Sequence, residues 1–200
     1  MSEIWLVSDI HFNHDKEFVY SERGFSSVKE MNEAIVERWN EVIKKDGIIY
    51  NLGDFAMSDI QLSIPYIKAL NGNIKWILGN HDSEKKVSAI CEENSNIQVI
   101  GWAEMLKYKK KYFYLSHFPT LTSNTDDSHL WHRVINLHGH THQKTNFLYP
   151  DNPFIYHVGV DSHNCYPVNI EEVIVDIKNR YFEISHLGIE RRPLYNFTKE

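Results

Sequence analysis

"EIWLVSDIH" (residues 3–11) changes character at one point: an apolar run through Val7 gives way to Ser8, Asp9 and His11. Such a run, bounded by polar residues, is the pattern of a buried strand. It recurs in "GIIYNLGD" (47–54) and in "NIKWILGNHD" (73–82). Between these runs the period changes. In "SVKEMNEAIVERWNEVIKK" (27–45), Val28, Met31, Ile35, Trp39 and Val42 recur at steps of three and four. That spacing predicts an amphipathic helix with Ser27 and Glu30 as its capping box and Lys44 and Lys45 at its C-terminal end. A shorter helix is expected over 60–70, with Pro65 unfavourable in its middle, and another near 84–93. Strand alternating with helix predicts an α/β fold with a partly parallel sheet.

The second half is richer in strands. "AEMLKYKKKYFYLSH" (103–117) reads as two strands joined by a tight basic turn. "RVINLHGH" (133–140) and "PFIYHVGVD" (153–161) read as further strands. A helix is expected from Asn169, and "RYFEISHL" (180–187) is expected to close the sheet structure. A second sheet packed on the first accounts for this half. With no repeat, low-complexity tract or Pro/Gly/Ser linker, residues 1–200 are expected to form a single domain.

Composition narrows the function. A formal charge of −6 and a pI near 6.0 provide no global basic field for nucleic acid or anionic lipid. That argues against a general DNA-binding module while leaving an enzyme of short or single-stranded nucleic acid open. Two cysteines, Cys91 and Cys165, stand far apart in no paired motif, and a disulfide framework is not expected. No membrane span and no secretory leader are expected, so a reducing, cytoplasmic location follows. Twelve histidines are many for 200 residues.

The chemistry lies where the strand runs end. The first ends in Asp9 and His11, the second in Gly53-Asp54, the third in Gly79-Asn80-His81-Asp82. Later runs end in His117 and in Gly139-His140-Thr141-His142. In α/β sheets that edge is where loops converge on ligands. Each motif by itself is commonplace, and Asp-x-His or Gly-Asp alone most often marks a turn. Five such groups in one order, all at strand ends, point to a metal site. His140 and His142, two residues apart beyond Gly139, can face a common point, whereas His138 still belongs to the strand.

Together these motifs resemble the signature of calcineurin-like metallophosphoesterases, from residue 9 to residue 142. The stretch from "SDIHFNH" to "NLGDF" is similar to small stand-alone phosphoesterases of bacteria and phages, which usually carry Pro where Gly24 stands and His where Asn51 stands. The resemblance implies a four-layer α/β/β/α sandwich of two mixed sheets flanked by helices. It also implies two divalent metal ions, Mn²⁺ first, with Fe, Zn²⁺, Ni²⁺, Co²⁺ or Mg²⁺ as alternatives. Asp9, His11, Asp54 and His142 would hold one ion; Asp54, Asn80, His117 and His140 the other. A metal-bridging water or hydroxide would be the nucleophile, His81 the general acid, and Asp82 the residue that orients it. The implied reaction is hydrolysis of a phosphomonoester or phosphodiester on a small phosphorylated substrate or nucleotide.

Independent chemistry agrees. Two divalent ions need a bridging carboxylate to offset their repulsion, and histidine titrates in the range needed to protonate a leaving alkoxide. A donor set of nitrogen and oxygen without thiolate suits a catalytic rather than a structural site.

Outside the signature, His14 follows the first motif and is a candidate contact for substrate phosphate. Arg23 is a second, since guanidinium matches phosphate oxygens, with an ordinary surface arginine as the rival reading. "KYKKKY" (107–112) is read as a solvated hairpin turn rather than a nucleic-acid contact. "GVDSHNCYPV" (159–168) places an Asp and a His in a strand-exit loop that would wall the site. A nuclease is the second enzymatic reading. A Ser/Thr protein phosphatase is disfavoured, because "GDFAMSD" (53–59) lacks the arginine that branch carries. A non-catalytic scaffold is disfavoured because His81 and all seven ligand residues are present.

Overall fold

In the computed structural model, which describes residues 3–124, 127 and 129–186, the apolar runs become strands of two sheets. The first sheet sets β1 (Ile4–Val7), β2 (Ile48–Asn51), β3 (Asn73–Ile77) and β4 (Ile97–Gly101) side by side in parallel. Parallel neighbours require crossovers. These are supplied by α1 (Glu17–Tyr20) and α2 (Val28–Val42), then α3 (Ile60–Lys68), then α4 (Glu84–Glu93). In the second sheet, β6 (Lys111–Ser116), β7 (Val134–His138) and β9 (Asn152–His157) run parallel. Antiparallel β5 (Ala103–Tyr108) and β8 (Phe147–Tyr149) form its edges. The short β10 (Val168–Asn169) returns antiparallel to β1 and leads into α5 (Ile170–His186). The α/β fold of two mixed sheets flanked by helices is the one the sequence predicts.

Two apolar layers hold it together. Between the sheets, Leu6, Leu52 and Ile77 meet Phe113, Leu115, Ile135, Leu137 and Tyr156, all buried. On the other face of the first sheet, Val7, Ile49 and Trp76 pack with Met31, Ile35 and Trp39 of α2, Ile67 of α3 and Ile90 of α4. The predicted stripe of α2 is the buried one, since Met31, Ile35 and Trp39 are its buried apolar residues. Ser27 caps it by accepting from the Glu30 amide at 3.2 Å. Glu30 does not complete the box on Ser27; its carboxylate takes the amide of Ser26 at 2.8 Å. Lys44 and Lys45 fall beyond the last helical residue, Val42. α3 runs unbroken from Ile60 to Lys68 through Pro65, although that proline argued against its middle.

One expected element is corrected. Residues 180–186 are not a strand but the last part of α5; Leu187 lies outside the described residues. The buried residues Ile170, Val173, Ile174 and Ile177 recur at helical steps, and Tyr181 packs partly against the same cluster. A helix that already buries this stripe continues through 186, and the β-forming aromatics are carried along by tertiary packing. Strand β4 and the edge strands β8 and β10 were not foreseen, being short and weakly patterned.

The basic turn between β5 and β6 is a two-residue hairpin loop. Lys109 and Lys110 both take left-handed backbone (φ 45° and 65°), the geometry of a type I′ turn. It sits at the start of β6, the opposite end of that strand from His117. The basic charge therefore lies away from the residues described next.

Candidate metal centre

Three parallel strands of each sheet end at one place. β1, β2 and β3 deliver Asp9 and His11, Asp54, and Asn80 and His81; β6, β7 and β9 deliver His117, His140 and His142, and Asp161. The exit loops are stitched together by backbone bonds from Asp9 to Gly53 O and from His11 to Asp54 O, both 3.0 Å. A parallel bridge between Ser8 and Gly159 joins the two sheets at this edge.

Close approach of backbone to carboxylate explains two glycines. A Cβ on Gly79 would collide with the Asp54 carboxylate and lie 2.6 Å from its amide nitrogen. One on Gly139 would strike Ser8 Oγ and come within 2.6 Å of Asp9 Oδ2. Strain is concentrated here as well. Asp9 (φ 57°), His11 (54°), Asp54 (56°), His140 (69°) and His142 (49°) all occupy the left-handed region that non-glycine residues avoid. Each costs about 1–3 kcal/mol and persists only where surrounding bonds over-determine it, a pattern that gathers at functional sites.

The expected ligands come together. His11 Nε2 lies 3.2 Å from His142 Nε2 and 3.6 Å from Asp54 Oδ2. His117 Nε2 is 3.5 Å from the same Asp54 oxygen and 2.9 Å from Asn80 Oδ1. His140 stacks edge-on to His117 with centroids 5.1 Å apart, and its amide donates to Asp9 Oδ2 at 2.9 Å. Asp54 Oδ2 thus stands between two clusters, one with His11 and one with His117. His81 projects from the same edge, 44% exposed, with Nε2 3.9 Å from Asp54 Oδ2. His14 follows, its ring 5.2 Å from that of His11.

The donor set fits divalent cations. Single donor atoms of Asp9, His11 and His142 lie within 4.8 Å of one another, as do those of Asp9, Asp54 and His117. Asp9 is fully buried, and that burial pushes its carboxyl up to about 6, which marks a negative charge short of compensation. Burial, helped by the neighbouring His142, holds His11 well below the ordinary histidine range, so its ring is neutral and offers a lone pair. Burial likewise lowers His14.

Two expected roles take a different form. Asp82 was expected to orient His81, but its carboxylate instead accepts the amides of Asp54 and Gly79 at 2.8 Å, that of Phe55 at 3.1 Å and the Trp76 indole at 3.2 Å. It braces the loops after β2 and β3 rather than touching the ring. Arg23, a candidate substrate contact rivalled by a surface-arginine reading, has a side chain only 1% exposed, with its guanidinium bound to Asp161 and to the carbonyls of Asp9 and Ile10. Its position 14 residues beyond Asp9 conceals that its side chain folds back beneath the loop.

Two residues gain importance. Asp161, read only as a wall of the site, accepts from His142 Nδ1 at 2.8 Å. Burial opposes its charge, yet the His142 hydrogen bond and Arg23 hold its carboxyl far below the usual range. His142 shows the counterpart: burial pulls its pKa down, but Asp161 and Asp9 outweigh that and raise it. His157 is fully buried with Nε2 3.9 Å from Asp9 Oδ2. Burial pushes it down to about 3. The one signal for both was that "YHVGVD" ends a strand as the ligand motifs do. His138 is packed, as expected: fully buried, lowered by that burial to about 4, its Nδ1 2.7 Å from Gly139 O.

Comparison with known proteins completes the description. Residues 2–156 match the calcineurin-like phosphoesterase superfamily domain. An uncharacterized protein of Methanocaldococcus jannaschii is 32% identical over 182 residues, covering 87% of this chain and 90% of its own. The Gene 66 protein of Mycobacterium phage D29 is 26% identical over 203 residues, covering 89% and 98%. The crystal structure of a protein of unknown function from Aquifex aeolicus superposes with a TM-score of 0.65 at 22% identity, over 88% of this chain and 99% of that one. No helix among the described residues is long and apolar enough to cross a membrane. With three quarters of its length matched and the motif residues converging at one sheet edge, the chain belongs to the calcineurin-like phosphoesterase superfamily and is a metal-dependent phosphoesterase.

Proposed function

We propose that the protein hydrolyses a small phosphomonoester or phosphodiester, a nucleotide among the candidates, at a two-cation centre. Asp9, His11, Asp54 and His142 would hold one ion, and Asp54, Asn80, His117 and His140 the other. The observation that carries this reading is Asp54 Oδ2, which lies 3.6 Å from His11 Nε2 on one side and 3.5 Å from His117 Nε2 on the other. A carboxylate oxygen so placed offsets the repulsion of two neighbouring cations.

Divalent cations, when bound, neutralise charge developing on the phosphoryl oxygens and acidify water enough for it to attack near neutral pH. The chain supplies the rest. His81, exposed at the rim, delivers a proton from its ring to the departing ester oxygen. Its amide donates to Asp54 Oδ1 at 2.9 Å, which ties the position of the acid to that of the bridging carboxylate. Asp82 holds the backbone on both sides of that contact. His14, lying beyond His11, contacts a phosphate oxygen in this reading.

Mn²⁺ is the first metal to test, since every donor is nitrogen or oxygen, with Fe, Zn²⁺, Ni²⁺, Co²⁺ and Mg²⁺ as comparators. A cytoplasmic setting is consistent with two free cysteines. The test is an assay of chelator-stripped protein, reloaded with each metal, on p-nitrophenyl phosphate and bis-p-nitrophenyl phosphate, then on nucleotides and short oligonucleotides. Metal-restored turnover of at least one ester is expected. No turnover with any metal on any of them would leave a scaffold role instead.

A further inference from the structure

We propose that Arg23 and Asp161 form a positioning pair that holds His142 in its Nδ1–H tautomer, keeping Nε2 free as a donor toward the cation held with Asp9 and His11. The proposal rests on the metal-centre reading above and goes beyond it to a carboxylate and a guanidinium outside the ligand set.

The geometry begins at Asp161. A carboxylate only accepts hydrogen bonds, so the 2.8 Å contact between His142 Nδ1 and Asp161 Oδ2 places the imidazole proton on Nδ1. In the neutral ring the lone pair is then on Nε2. That atom points inward, 3.2 Å from His11 Nε2 and 3.9 Å from Asp9 Oδ1. His142 is 42% exposed and sits in a loop at φ 49°; besides the Asp161 bond, its ring is held by stacking on that of His11, with centroids 5.0 Å apart. A metal-ligating histidine whose far nitrogen donates to a carboxylate is held both in tautomer and in orientation.

Asp161 is in turn held by Arg23. Nε donates to Oδ1 at 2.9 Å and Nη2 to Oδ2 at 3.0 Å, a bidentate contact with both side chains almost wholly buried. The same guanidinium donates to Asp9 O at 2.8 Å and Ile10 O at 3.0 Å. One cation thus registers the strained loop carrying Asp9 and His11 against the loop carrying His142. Three of the four residues proposed for that cation, Asp9, His11 and His142, are thereby linked through Arg23. Lysine could not replace it, because a single ammonium cannot span a carboxylate and two carbonyls in this planar arrangement.

The test combines metal binding with a spectroscopic reading of the ring. Titration calorimetry with Mn²⁺, and the absorption of Co²⁺-loaded protein, are compared for wild type, Asp161→Asn, His142→Asn and the double variant. Asp161→Asn is expected to weaken one of the two binding events by about 10- to 100-fold and to alter the spectrum of that ion alone. The double variant should bind no more weakly than His142→Asn, because Asp161 acts through His142. Arg23→Lys should give an intermediate loss. Equal affinity in wild type and Asp161→Asn, or additive losses in the double variant, would overturn the positioning role. Absence of Mn²⁺ and Co²⁺ binding by wild type would instead overturn the metal-centre reading itself. Should Asp161→Asn fail to fold, the metal-free wild type decides: ¹⁵N spectra at alkaline pH should show His142 protonated on Nδ1, and a proton on Nε2 would refute the proposal.

Discussion

At the level of single residues, the proposed centre separates groups that would hold cations from a histidine that would move a proton. His81 is exposed; its amide donates to Asp54 Oδ1 and its ring stands edge-on to that of His11, with centroids 5.6 Å apart. His81→Ala should therefore retain both metals while turnover falls by about 10²- to 10⁴-fold, the usual value of a positioned general acid. Elemental analysis beside the kinetic assay checks this, and a metal-free variant would reassign His81 to the ligand set. Asp54→Ala should do the opposite and lose the metal pair, since one oxygen serves both clusters; elemental analysis showing two ions at full occupancy would contradict its bridging role. These candidate residues were legible in sequence because Asp, Asn and His recur at strand ends. The work of Arg23 and Asp82 was not, because a side chain's partner depends on where the chain folds back.

The elements explain why the site can tolerate its strain. Left-handed backbone at Asp9, His11, Asp54, His140 and His142 is opposed by rigid strands on either side and by bonds between exit loops. Gly139→Ala would drive a Cβ into Ser8 and Asp9 at this edge, so loss of metal affinity with overall helix content kept is expected by titration and circular dichroism. The helices make a separate contribution. Trp39 is fully buried in α2 and its indole donates to Asn71 O at 2.8 Å. Trp39→Ala should destabilise the protein by about 3–5 kcal/mol in urea unfolding, the range for a large buried aromatic. Periodicity identified α2 and its buried face without ambiguity. It failed for residues 180–186, where aromatics of strand character sit on a helix fixed by packing at Ile170, Val173, Ile174 and Ile177.

For the whole molecule, the site is a seam between two sheets, so cation binding and global stability should be linked. A ligand present at 100 times its dissociation constant stabilises by about 2.7 kcal/mol, which for a chain of this size raises Tm by roughly 5–10 °C. Thermal melts with excess Mn²⁺ and with chelator should differ by that amount, and identical melts would mean that the seam holds without cations. The sequence by itself determined the α/β class, the alternation of its first half, the candidate ligand residues and the family, because strand period and strand-end chemistry are local properties of the chain. Only the tertiary structure decided that two sheets, each ending parallel strands at one edge, bring Asp161 in the loop after β9 against His142 in the loop after β7 and fold Arg23 beneath both. Those contacts join residues more than a hundred positions apart in one case and nineteen in another, and distances of that kind are set by packing rather than by any pattern along the chain.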